Sequence, residues 1–472
     1  MGYRIRFHLL WLSLMAFPQA LWSAVSLSQN QQGQALVVPY YTVANGLNTL
    51  VSINNHQNHP KALKIHLKDG RLGANIQSFN VYLGAHESWN FAMAEDPNGP
   101  LILSSDNSCA LNLDTGASGQ PTTSEPSWDR LVGVIEVIEM GQVLTESNDF
   151  FGNLTEQENC QRLADAWYAQ GPNSFWQAES SAEMAPANGG LSAAVSVIDV
   201  SNGWAINIPT LAFNDFFAAN TIHHRSPEAA EPNLASGSHD SLLLHQGQVM
   251  QTTWPTGHEA ISALLMTTGI ENAYDLSLFV AAENDFILSF PTWSYHRDQA
   301  DSQKPFITNP VHGFLFGTSY RQRNPLFHYD HTGQQERGGY GGSIDPHPPE
   351  VDWILPGVTM TFAVNDSYDV VDSFLSGEIR DNVSPLGVPI SAEYKGRVKF
   401  AFAEYNSLGN DRGIDAHTGT PQTYHGLPVT GFMGMKFYNA GAGPGLLATY
   451  AWSNAHSSDR HINDLTGENH AE

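Results

Sequence analysis

The stretch GQALVVPYYTVANGLNTLVSINNH, residues 33–56, decides the fold class. Residues 35–43 are dense in β-branched and aromatic side chains and read as a strand. Asn45-Gly46 follows, a dipeptide that takes positive φ readily and marks a tight hairpin turn. Residues 47–54 read as the return strand, with Thr49, Val51 and Ile53 on one face. Working outward, residues 62–68 (ALKIHLK) alternate: Leu63, Ile65 and Leu67 to one side, Lys64, His66 and Lys68 to the other. That is the pattern of an antiparallel strand with one face in the core and one in water. Phe79, Val81 and Leu83 repeat it, as do Trp89, Phe91 and Met93; residues 100–104 make a shorter strand. Residues 130–143 (RLVGVIEVIEMGQV) are long, β-branched and apolar, which predicts a central strand. Short strands at this regular spacing predict an all-β fold, an immunoglobulin-like β-sandwich over residues 33–150.

Upstream, residues 1–24 have the parts of a secretory signal: Arg4 and Arg6, the apolar run FHLLWLSLMAF at 7–17, then Pro18 and the small residues Ala20, Ser23 and Ala24. The apolar run is too short to span a bilayer, and no run of about 18 apolar residues follows it. The expectation is a chain exported through the general secretory route to the periplasm, the cell surface or the medium, with no transmembrane segment in the mature form. The formal net charge is −26; two of the 21 basic residues and none of the 47 acidic ones lie in 1–24, so the remainder carries 19 − 47 = −28. This argues against a nucleic-acid partner, since phosphate binding needs a basic face.

Cys109 and Cys160 are the two cysteines. In an exported chain they most simply form one disulfide. Thr155 and Glu158 have capping-box spacing, and Leu163, Ala166 and Trp167 fall on one side of a helix over 155–169, which Gly171-Pro172 ends. The bridge would then pin this helix, within a helical linker region at 151–190, to the sandwich. Residues 191–456 read as a second, larger β-rich domain with a short helix near 258–266, and 457–472 as a polar tail.

Chemistry is sparsely signalled. No G-x-S-x-G elbow, P-loop, H-E-x-x-H or dinucleotide fingerprint is present. His223-His224 and the HYDH run, with His328, Asp330 and His331, offer imidazole and carboxylate groups suited to zinc or another transition metal. Their spacing fits no specific template, and solvated loop histidines are the preferred account. The Asp-rich stretches 365–369 (NDSYD) and 410–415 (NDRGID) offer hard oxygen ligands to calcium, though Asx-turns explain them too. No cofactor is required by any motif. Glu136 and Glu139 stand inside the most apolar strand. Three positions apart, they face opposite sides of it and do not form one acid/base pair. They mark either a polar pocket or a solvated strand end. Trp89, Trp204, Trp254 and Trp353 fall in or beside strands and read as core rather than as sugar-stacking platforms.

Several stretches together carry a resemblance: LVVPYYTV, SFNVYLGAHESW, LILSSDNSC, GVIEVIEMG, NDFILSFPTWSYHRD, GLPVTGFMGMKFYNAG and PGLLATYAWSNAH. The chain resembles a group of uncharacterised exported proteins of Gram-negative bacteria. The resemblance implies export and a mostly β build, and it carries over no catalytic residue, cofactor or ligand. The functional expectation is an exported, non-catalytic structural or adhesive protein whose partner is a cell-surface protein or a glycan. The alternative is a carbohydrate-active or metal-dependent hydrolase with its site in the second β-rich region.

Overall fold

The computed structural model describes residues 24–97, 99–113, 130–144, 156–171, 174–276, 281–297, 305–309, 313–316, 326–330, 335–337, 353–355, 358–365, 373–376, 386–389, 395–402, 407–438, 443 and 448–464. The first thirteen strands are β1 (Ser26–Leu27), β2 (Ala35–Thr42), β3 (Asn48–Asn55), β4 (Lys61–Asp69), β5 (Asn75–Leu83), β6 (Ser88–Asp96), β7 (Gly99–Leu103), β8 (Cys109–Leu111), β9 (Val132–Val143), β10 (Met184–Ala185), β11 (Leu191–Asp199), β12 (Trp204–Ile208) and β13 (Leu211–Asn214). The helices α1 (Glu156–Tyr168), α2 (Phe175–Ala178), α3 (Gly257–Leu265) and α4 (Trp293–Arg297) are short. The architecture is β-rich and built from several sheets. No helix among the described residues is long and apolar enough to cross a membrane.

One sheet runs β1–β13–β2–β9–β4–β5–β8, with β10 beside β9; a second runs β12–β11–β3–β6–β7. Leu63, Ile65, Leu67, Phe79, Val81, Ile135 and Val137 of the first join Val51, Ile53, Trp89, Phe91, Val195 and Val197 of the second in one buried cluster. Each such side chain contributes about 1.5–3 kcal/mol on burial. The 12-residue β9 is central, as its sequence predicts, with β2 on one side and β4 on the other. Gly133 lets the three strands close up. A Cβ there would lie 2.0 Å from the Lys68 carbonyl oxygen and 2.6 Å from the Tyr41 ring.

The Asn45-Gly46 turn departs from expectation. Both residues have positive φ, 55° and 74°, but β2 and β3 do not pair with each other. They lie in different sheets, and the turn carries the chain across. Thr49 closes it with its side chain: Oγ1 accepts from the Thr42 amide (3.0 Å) and donates to the Thr42 carbonyl (2.7 Å). The backbone edges this leaves on β2 and β3 are taken by later strands. β11 pairs with β3 from Leu191↔Asn55 to Ile198↔Asn48, and β13 lies between β1 and β2. Residues 191–214, expected in the second region, thus complete the first two sheets.

The opposite face of the first sheet is also covered. Ala35, Val37, Val134 and Ile138 share a cluster with Phe286, Leu288, Phe362 and Phe400 from the sheets that follow. Among those, Glu283–Ser289 pairs on both sides, with Thr359–Asn365 and Thr430–Tyr438, and Thr449–Ala455 ends that sheet. Part of the expected polar tail is strand. Ser457–Asp459 pairs with residues 269–271, and Ile462–Asp464 with 422–424. Backbone pairing at a sheet edge needs no apolar run, and the single apolar residue there, Ile462, is buried.

Cys109 and Cys160 form the expected disulfide, which joins β8 to α1. Leu163, Ala166 and Trp167 of α1 pack with Tyr82, Met140 and Trp176 in a third cluster.

Candidate functional site

The polar face of β4 is where expectation and structure diverge most. All nine residues of β4 are buried: Leu63, Ile65 and Leu67 by the core, and Lys64 and His66 by the segment 222–236, which lies across their face. Sheet side chains reach up and satisfy this segment's backbone. Lys64 Nζ donates to the carbonyls of Ser226 (2.7 Å) and Pro227 (3.1 Å), His66 Nε2 to Pro232 (2.8 Å), and Asn80 Nδ2 to Arg225 (2.9 Å). Buried backbone groups need such partners, and these polar groups in turn need burial to be compensated. Since a carbonyl can only accept, His66 Nε2 carries the proton and Nδ1 accepts from Ser78 Oγ (2.7 Å). Burial holds the His66 imidazole down to about 4, against the attraction of Glu136.

Beneath the same segment lies a buried ion pair. Lys68 Nζ is 2.6 Å from Glu136 Oε1, and it also donates to the Tyr295 hydroxyl (2.6 Å). That hydroxyl donates to the Glu136 carboxylate (2.9 and 3.0 Å), which also accepts from the Leu234 amide (3.3 Å). Burial, and then the Glu136 charge, push the Tyr295 phenol well above its ordinary value. Glu139 sits on the other face of β9, paired with Lys61 Nζ at 2.5 Å. Glu136 and Glu139 are therefore fully buried, not a solvated strand end.

Segment 231–236 forms one wall of a cleft of about 490 Å³, and the first turn of α3 forms another. Three imidazoles, His223, His239 and His258, face it with Arg225 and Glu231. Thr256 caps α3, its hydroxyl accepting from the Glu259 amide (3.4 Å). His258, the second residue of α3, stacks toward Tyr295, so the cleft floor rests on the Glu136 network. Burial holds His258 down to about 4, with Arg412 and His239 adding to the effect and Glu259 opposing it. Burial and Arg225 hold His223 at about 4 as well. Near neutral pH His223 and His258 are thus neutral, and they share the cleft with Arg225 and Glu231, a lining suited to a polar ligand.

The two adjacent histidines at 223 and 224 separate. His223 lines the cleft and stacks on Phe217 (3.7 Å between centroids). His224 turns inward among Tyr82, Trp167 and Trp176; Nδ1 donates to the Ser180 carbonyl (2.7 Å), and Nε2 accepts from the Tyr82 hydroxyl (2.9 Å). Both ring nitrogens of His224 are engaged inside the protein. His328 and Asp330 stand on the strand Leu326–Asp330, opposite Val398 and Gly396; their side chains, and His331, lie outside the described residues. Among the described residues no group of three or more His, Cys, Asp and Glu has a metal-holding arrangement. In the 410–415 stretch, Asp415 accepts from the amides of His417 (2.8 Å) and Thr418 (2.7 Å), the Asx-turn alternative. Residues 366–369 are outside the described set. Trp89, Trp204 and Trp254 are core residues, as read; the side chain of Trp353 is outside the described set.

Sequence reading missed Lys61, Lys68, Tyr295, Arg225 and His258 as site-forming residues. The available signal, for the lysines, was complementary charge: Lys61, Lys64 and Lys68 on one strand and glutamates in the neighbouring apolar strand. Comparison with known proteins finds no family model that matches the chain, and no curated protein or solved structure that matches it significantly.

Proposed function

We propose that this is an exported, non-catalytic β protein with a structural or adhesive role at the cell surface or in the periplasm, and that its N-terminal sheets form an immunoglobulin-like sandwich. The observation that carries the adhesive reading is a pair of exposed aromatics. Tyr450 and Trp452 are about half exposed, at 50% and 43%, on one face of Thr449–Ala455, the last strand of its sheet. Trp452 is backed by Phe437, parallel to it with centroids 4.6 Å apart. Flat rings held rigidly at a surface stack sugar rings or anchor a protein partner. Resemblance to exported Gram-negative proteins and the signal-like residues 1–24 support the location. The test is fractionation of tagged cells followed by glycan-array and cell-binding assays of the purified chain. Binding that falls at least tenfold in Trp452→Ala, with unchanged melting, supports the reading. A cytoplasmic protein, or binding indifferent to both aromatics, overturns it.

The cleft favours a second reading, a hydrolase acting on a polar substrate. Its observation is the convergence of His223, His239 and His258 with Glu231. Turnover of a glycoside or ester panel, abolished by His258→Ala, would establish it over the first.

A further inference from the structure

The ion pair on the far side of β9 has a third member. Lys61 Nζ, with no exposed side-chain surface, lies between the Glu139 carboxylate (2.5 Å) and the side-chain carbonyl oxygen of Asn188, to which it also donates. Glu139 is equally enclosed and is held by two backbone amides, those of Asn188 (3.0 Å) and Gly189 (2.8 Å). Gly189 and Gly190 both have positive φ, 75° and 78°. They curl the segment so that its amides point at the carboxylate and the Asn188 carboxamide lies over the lysine. Asn188 Nδ2 donates to Gln142 Oε1 (3.1 Å), which fixes which way the amide faces. Asn188 itself reaches the surface.

A buried amine, an amide carbonyl in contact with it, and a carboxyl group that holds both the amine and the backbone N–H of the same asparagine are the parts of an acyl transfer. From this arrangement we infer that Lys61 and Asn188 become joined by an amide bond, with Glu139 as the proton carrier. In the reaction the Lys61 Nζ lone pair attacks Asn188 Cγ, forming the Nζ–Cγ bond. Glu139 gives its proton to the departing Nδ2 and takes one back from Nζ. The Cγ–Nδ2 bond breaks and ammonia leaves through the exposed side of Asn188. Nothing is oxidised or reduced, and no co-reactant is needed. Positioning of this kind replaces a bimolecular encounter by a held one.

Electrostatics run the same way. Burial lowers the Lys61 amine from its ordinary value, although Glu139 opposes this, and burial raises the Glu139 carboxyl against the pull of Lys61 and its amide donors. Both shifts favour the neutral pair, in which the amine is a nucleophile and the acid holds a transferable proton. The bond would tie β4 to the segment leading into β11, 127 residues away in sequence. Its loop would enclose the one closed by Cys109–Cys160, nesting one cross-link inside the other. This inference stands independently of the adhesive reading.

The test is mass spectrometry of the purified full chain. The expected intact mass is one ammonia below the sequence value, beyond the two hydrogens lost to the disulfide. A branched peptide should join the Lys61 and Asn188 fragments. Asn188→Ala, a change at an exposed position, should restore the lost mass and release Lys61, and Glu139→Gln should do the same. Asn188-Gly189 is also a sequence prone to cyclic imide formation, which loses the same ammonia, so the peptide map decides. Linear fragments with an unmodified Lys61, in protein whose disulfide has formed, would overturn the inference, whether or not Asn188 had lost ammonia.

Discussion

Glu136 and Glu139, three residues apart on β9, project from opposite faces of the sheet, and each meets its own buried lysine, Lys68 and Lys61 respectively. The sheet therefore carries one lysine–glutamate pair on each side. One underpins the segment that walls the cleft; the other ties down the entry to β11.

The Lys68–Glu136 pair should be costly to halve. Glu136→Ala leaves a buried ammonium without its counter-ion and the Tyr295 hydroxyl without an acceptor, and removing one partner of a buried pair typically costs about 3–5 kcal/mol. Replacing both, as Lys68→Met with Glu136→Leu, should recover most of that loss. Urea unfolding of the wild type, both single variants and the double variant measures the coupling; additive single effects would refute it.

Acid should destabilise the protein well before its carboxylates are neutralised. Burial holds His66 and His258 to about 4, and His224 and His456 to about 3. A histidine whose folded value is lowered binds more protons when unfolded, so its contribution is full above about 6.5 and is lost as pH falls towards 4. For His66 alone the span corresponds to about 3 kcal/mol. Asp285, buried and raised to about 7, has the opposite sign: it favours the fold at low pH and loses that contribution as pH rises from about 4 to 7. Melting temperature against pH should rise most steeply between about 4 and 6.5, and His66→Gln should flatten that limb.

Reduction should loosen α1 first. The Cys109–Cys160 bridge spans 51 residues, and the chain-entropy treatment assigns such a loop about 4 kcal/mol. Cys160→Ser should lower the melting temperature and speed hydrogen exchange in α1 and α2. A variant with wild-type melting in oxidising buffer would show that the bridge is not formed.

Much of the build was legible. The alternation of Leu63, Ile65 and Leu67 named the core face of β4, the apolar length of β9 made it central, and the two cysteines paired. What the sequence did not show was the fate of the other face. Lys64, His66 and Lys68 give the same pattern whether they meet water or a segment folded back from far along the chain. Their partners are 162, 163, 166 and 227 residues away, beyond any local periodicity. The Asn45-Gly46 turn taught the same lesson. Its backbone was legible, but whether flanking strands pair or part depends on β11 and β13 arriving to take their edges. His223 and His224 were adjacent in sequence and so looked like a pair; on an irregular segment, neighbours point apart.

The late arrival of those strands has a consequence for the order of folding. As the chain is made, β2 and β3 appear early but their open edges are closed only by residues 191–214. Until then the growing polypeptide displays two unpaired, largely apolar strand borders, the kind that adhere to one another between chains. The first two sheets mature in a single late step, and a chain that stops near residue 190 is a template for aggregation rather than a smaller folded protein.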